Sequence, residues 1–172
     1  MSPGELDRSA LRLARTRWHA PVAERAISLF SRTGEHAACW LALGAVGAVT
    51  TSDAARRRAW LRGALIVASS YAANYAVKLV VRRARPQLPG LEPLTPVVSR
   101  LSFPSAHATT SFAAARAFSD VAPAALLYGT AVAFALSRPY LGVHYPSDVA
   151  AGAVLGTAIA EAWPSNCRTV HQ

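Results

Sequence analysis

The feature that most constrains this chain is a series of five apolar runs, at roughly 36–51, 60–81, 106–119, 121–138 and 147–163. Each is cut off by charge, by proline or by both. Runs of Ala, Val, Leu and Gly on this scale are helices that must bury themselves in lipid or in one another. Several fall short of the ~20 residues a bilayer core asks for, and a soluble helical bundle is the alternative. Two details favour the membrane. Trp40, Trp60 and Trp163 lie near run ends, where an interfacial belt would set them. Gly152 and Gly156 have the GxxxG spacing that lets helices approach closely in lipid, here within one chain rather than between copies. The expectation is an all-α integral membrane bundle of about five transmembrane helices over 36–163. A basic interfacial segment (1–35) precedes it and a tail (164–172) follows.

Charge supports this division. The chain has 172 residues and a net charge of +9, although 52% of it is hydrophobic. The basic residues gather in the first 35 positions, at Arg56–Arg58 and around Arg82–Arg85, flanking apolar runs as the positive-inside rule leads one to expect. No zinc-finger spacing or RNA-binding signature accompanies them, so a nucleic-acid partner is not expected. In the N-terminal segment Leu11, Ala14, Trp18 and Val22 recur at helical spacing, with Arg8, Arg12, Arg15 and Arg25 mostly elsewhere, as in a helix lying in the interface. That segment is too polar for a signal peptide. Cys39 and Cys167 form no framework and no metal site.

Prolines 86, 89, 93, 96 and 104 keep the stretch after the second run from being one helix; it reads as a loop covering a site. Ser119–Pro123 is a tight turn, Pro139 ends the fourth run, and Pro146 suits the first turn of the fifth helix. With five crossings, the 78–107 and 137–148 connections fall on one side, and the unusual polar residues meet there.

Those residues form three groups. Lys78 and Arg85 are seven apart, nearly two helical turns, and Arg82 shares their face; stacked cations suit phosphate, although basic clusters at membrane ends are common. Ser105 and His107 open the third helix, whose N-terminus offers free N–H groups and a positive dipole end to an anion; Ser105 also suits a helix cap. Arg138, His144 and Asp148 are the third group. A carboxylate beside an imidazole fixes its tautomer and sharpens it as a nucleophile, and Asp148 equally suits a first-turn carboxylate. Nine acidic residues in all, with Asp148 alone among these segments, do not make the carboxylate cage of a two-metal phosphatase, so no metal and no cofactor is expected.

Lys78-x6-Arg85-Pro86, Pro104-Ser105-Ala106-His107 and Ser137-Arg138-x5-His144-x3-Asp148 resemble the three signature motifs of the type 2 phosphatidic acid phosphatase family, in order, spacing and helix placement. The resemblance implies a metal-independent membrane lipid phosphatase. His144 would be the nucleophile, Asp148 would orient it, and His107 would be the general acid. Lys78, Arg85, Ser105, Ala106 and Arg138 would bind phosphate. Ala106 stands where the family usually has Gly, which requires a negative φ and a regular helix start. The other histidines, His19, His36 and His171, match no motif. The segments 99–107 and 136–148 are similar to those of the family's phosphatases for decaprenylphosphoryl-5-phosphoribose, which serve arabinan-precursor synthesis in bacterial cell walls. Undecaprenyl diphosphate and phosphatidylglycerophosphate are the alternative substrates. A vanadate-binding haloperoxidase and a non-catalytic membrane scaffold are the rivals of other classes. The expected partners are the lipid-phosphate substrate and membrane lipids, and nothing supports an oligomer. Outside the motifs, six arginines fall on the active-site side (8, 12, 15, 17, 25, 32) and five on the other (56–58, 62, 168), which favours a site facing the cytoplasm of a bacterial cell membrane.

Overall fold

The computed structural model describes residues 2–17 and 19–164, Pro3 by its backbone alone. Trp18, Cys167, Arg168 and His171 lie outside the described residues, as does all of the expected tail but Pro164. The described chain is all-helical apart from loops: α1 Pro3–Thr16, α2 Pro21–Thr33, a 3-10 turn Glu35–Ala37, α3 Ala38–Thr50, α4 Ala54–Val81, α5 Ala106–Phe118, α6 Ala124–Tyr140 and α7 Pro146–Ala162. The five apolar runs correspond to α3–α7. Pro146 opens α7 as expected, whereas Pro139 sits inside the last turn of α6 rather than ending it.

The N-terminal segment departs from the single continuous pattern. Ser2 and Glu5 form a capping box that starts α1. Pro21 at the head of α2 forces Ala20 into an extended conformation, so the chain breaks between the two helices. Leu11 is fully buried, but Val22 is 82% exposed and shares no face with it. Arg15 is not on a solvated face either: it is buried, and donates to the carbonyl oxygens of Glu92 (2.7 Å) and Tyr140 (3.4 Å).

α5 is the axis of the bundle, packed against α4, α6 and α7, with α3 on α4 and with α1 and α2 against α6. Small residues make this possible. A Cβ on Gly156 would stand 2.0 Å from the Thr109 carbonyl oxygen, and one on Gly152 2.6 Å from that of Ser105. The GxxxG pair therefore seats α7 on α5, as expected of intramolecular packing. Trp40 and Trp60 are no interfacial belt. Both are buried: Trp40 donates its indole N–H to Ser111 (2.8 Å), and Trp60 packs on Gly47 and Phe118. Bulky rings fill the space that glycine and alanine leave between helices.

Among the described residues α4 is the helix long and apolar enough to cross a membrane, about 42 Å at 1.5 Å per residue. Leu61, Leu65, Leu79 and Val80 on α4 face outward, as do Val46 and Val49 on α3, Leu126 and Leu136 on α6, and Val154 on α7. Outward apolar faces on helix after helix belong to a bundle solvated by lipid rather than water.

Candidate active site

The site forms where the C-terminal end of α4, the N-terminus of α5 and the α6–α7 connection meet. The chain leaves α4 at Arg82, whose backbone is left-handed (φ 51°). The expected stack of Lys78, Arg82 and Arg85 along one helix is therefore not formed. Arg82 is exposed, and Arg85 returns to Lys78 through the loop. A bridge pairs Ala84 with Leu101, and Ser102 N–H donates to the Arg83 carbonyl (2.7 Å), laying the segment before α5 alongside. The proline-rich loop covers the site as expected, with Pro96–Ser99 among the residues that line it.

Each cation has a distinct place. Lys78 is buried, and its ammonium donates to the carbonyl oxygens of Leu101 (3.3 Å), Ser102 (3.1 Å) and Pro104 (2.7 Å). Its three protons hold the segment leading into α5, and Asn74, one turn earlier, also donates to Pro104 (3.2 Å). Arg85 donates to the carbonyls of Ser99 and Val143, both at 2.6 Å, and meets His144 Nε2 at 3.1 Å. Burial pushes Arg85 down to about 10, with the Asp148 charge opposing. Arg138 is buried and donates to the Ser31 hydroxyl, leaving its Nε without a partner.

The histidines are held differently. Arginine cannot accept a hydrogen bond, so His144 Nε2, facing Arg85, presents its lone pair and the proton sits on Nδ1. That Nδ1 is 3.3 Å from Ser102 Oγ and 3.6 Å from Asp148 Oδ2. The second distance is too long for a hydrogen bond. The Ser102 hydroxyl donates to Asp148 Oδ2, so it bridges the imidazole to the carboxylate. Asp148 also accepts from Tyr145 N–H (2.9 Å) and from Arg83 (2.7 Å). Burial first, then the cations Arg85, Arg138 and Lys78, hold the His144 imidazole well below the ordinary histidine range, with Asp148 acting against them. His107 donates through Nε2 to the Ser31 carbonyl (2.8 Å), which leaves Nδ1 for exchange.

Ser105 is the N-terminal boundary of α5, but its side chain caps nothing. Its backbone N–H donates to the Asp148 carbonyl (2.9 Å), and its buried Oγ has no partner. Ala106 begins a regular helix without a positive φ, so the Gly-to-Ala departure is accommodated. The first-turn N–H groups of α5 have no intrahelical acceptor. Between these groups lies a cavity of about 90 Å³, lined by Lys78, Arg85, Ala106, His107, Arg138 and His144 among others. Lys78, Arg85 and Arg138 outnumber the single lining carboxylate, Glu35, and the arrangement is complementary to a small polyanion.

The scan against family models matches residues 59–168 to the PAP2 superfamily. The chain belongs to the PAP2 superfamily. A PAP2 relative from Mycolicibacterium smegmatis, the protein named decaprenylphosphoryl-5-phosphoribose phosphatase, is 46% identical over 132 residues, which cover 74% of this chain and 68% of that one. Among solved structures, the crystal structure of Aquifex aeolicus LpxE superposes with a TM-score of 0.78 at 24% identity, covering 91% of this chain and 93% of the other. The transmembrane PAP2-type phosphatidylglycerolphosphate phosphatase of Bacillus subtilis superposes at 0.70 and 22%, covering 92% and 82%. This PAP2 chain is a membrane protein and a phosphoric monoester hydrolase.

Three participants were missed in the sequence: Ser102, which bridges His144 and Asp148, and Ser31 and Arg83. Arg83 alone could have been flagged, as a charge beside an apolar run that asks for a partner. Ser31 sits in an amphipathic helix distant in sequence from every motif.

Proposed function

We propose that this enzyme hydrolyses the phosphomonoester of decaprenylphosphoryl-5-phosphoribose through a phosphohistidine intermediate. The His144 Nε2 lone pair attacks phosphorus as the bond to the leaving oxygen breaks. His107 gives that oxygen a proton, a step worth roughly 10²–10⁴-fold. Water then attacks phosphorus, the P–N bond breaks and His107 takes the water's proton. Asp148 orients His144 through Ser102. Arg85, Arg138, Ser105 and the N–H groups at Ala106 hold the phosphoryl oxygens, and Lys78 adds charge and fixes the preceding segment. The single observation carrying this reading is the pair of buried, unpartnered polar atoms, Ser105 Oγ and Arg138 Nε, at a cavity lined by His144 and the Arg85 that faces its Nε2.

The substrate is favoured by the name of the 46% identical relative. We infer further that residues 36–163 form the phosphatase domain, that α3–α7 make five crossings with the shorter helices embedded beside α4, and that the site faces the cytoplasm. The arginine excess at the N-terminus supports that orientation. The test is a panel of lipid phosphates assayed for kcat/KM, with and without chelator. The phosphoribose lipid is expected first and the chelator without effect. Last place for that lipid, behind undecaprenyl diphosphate and phosphatidylglycerophosphate, removes the substrate assignment, and loss of activity restored by Mg²⁺ removes the metal-free mechanism.

A further inference from the structure

Asp7 lies in an arginine-rich helix far in sequence from every motif, yet it is 8% exposed. Carboxylates are rarely so buried unless paired. Its Oδ1 accepts from Ser147 N–H (3.0 Å), and its Oδ2 accepts from the Ser147 hydroxyl and from Arg83 Nη2 (2.7 Å). Ser147 N–H is one of the first-turn donors of α7 that no intrahelical carbonyl can satisfy, so one helix caps another. Arg83 gives its other amino group to Asp148 Oδ1 (2.7 Å) and Ser147 Oγ (2.8 Å), and its guanidinium lies 4.1 Å over the Tyr145 ring.

We propose that Asp7 is a positioning residue for turnover, fixing the Asp148 carboxylate, and through it His144, by holding Arg83 and Ser147. The proposal rests on the roles given above to Asp148 and His144. Arg83 is about a third exposed and is shared between two carboxylates. Without Asp7 it regains its rotamers and takes Asp148 as a two-pronged partner, drawing that carboxylate away from Ser102 and Tyr145 N–H. A purely structural role is the competing explanation. Against it, α1 has attachments of its own, the buried Leu11 and the Arg15 bonds to Glu92 and Tyr140. Every Asp7 bond instead goes to the two residues that flank Asp148.

The experiment uses the full chain, purified in detergent, with a lipid phosphate from the panel. Asp7→Ala is expected to lower kcat about tenfold, the scale on which partners one step behind a reacting group act, while KM stays within about threefold. Asp7→Asn, which keeps an acceptor for Ser147 N–H, falls between. Leu11→Ala loosens α1 without touching the network; it should lower the unfolding temperature and leave kcat of the folded fraction within about twofold. If Asp7→Ala behaves like Leu11→Ala, or moves KM alone, the proposal is overturned. Should Asp7→Ala not fold, Asp7→Asn decides by the same criteria. His144→Ala separates the two levels: turnover in that variant breaks the reading of the site, whereas a silent His144→Ala beside a normal Asp7→Ala breaks the positioning proposal alone.

Discussion

Two groups of polar side chains at the site are built on opposite principles. Behind His144, Asp148 takes three donors, from Arg83, Ser102 and Tyr145, and Arg83 is in turn gripped by Asp7. In the other group, Ser105 Oγ and Arg138 Nε are buried without partners. A satisfied polar network is rigid. An unsatisfied buried donor costs about 1–3 kcal/mol, a demand that a phosphoryl oxygen would meet. The difference separates holding from receiving: one group is suited to holding the His144 imidazole, and the other to donating to an anion.

Removing the imidazole beside the satisfied group has the largest effect. His144→Ala should reduce turnover by at least ~10⁴-fold in folded protein, and phosphate release measured on purified enzyme checks it. Among the cations that line the cavity, Arg85→Gln should cost about 10²–10³-fold in kcat/KM, as for one donor to developing charge. It also sharpens the electrostatics. Attack needs neutral His144, and burial with nearby cations keeps it neutral well below the ordinary histidine range, so the wild-type acid limb lies on the acid side of that range. Removing one cation favours the imidazolium, raises that pKa and moves the acid limb to higher pH; an unmoved limb would separate Arg85 from His144. Ser102→Ala breaks the bridge to Asp148 and should lower kcat about tenfold with little change in KM. A normal kcat would mean the 3.6 Å approach of Asp148 suffices alone. Smallest for chemistry, Gly156→Ala forces α7 off α5 and should cost about 1–3 kcal/mol of stability, read from thermal unfolding, whereas Gly129→Ala, with open space around it, should be neutral or slightly stabilising.

The contrast also separates what the sequence reveals from what it hides. Helix runs, proline boundaries and the motif residues are local facts, and α3–α7 appear where hydrophobic periodicity sets them. Lys78 and Arg85 were legible as a pair, but the helix stacking inferred for them was not formed, because Arg82 takes a left-handed conformation and the chain turns back. Trp40 and Trp60 looked interfacial because position along a run says nothing about which face a ring occupies; the glycines opposite decide that. The roles of Ser102, Arg83 and Asp7 were hidden for a common reason. Each acts through a partner at least 42 residues away, and no periodicity records such a pairing.

Tyr71 and Tyr75, which line the cavity, are carried by α4, the helix long and apolar enough to cross a membrane, and Tyr75 is about half exposed. A lipid substrate anchored by its tail meets a membrane enzyme by sliding in two dimensions. Its working concentration is then a mole fraction in the membrane. Dilution with inert lipid at constant total substrate slows the enzyme, and added bulk water does not.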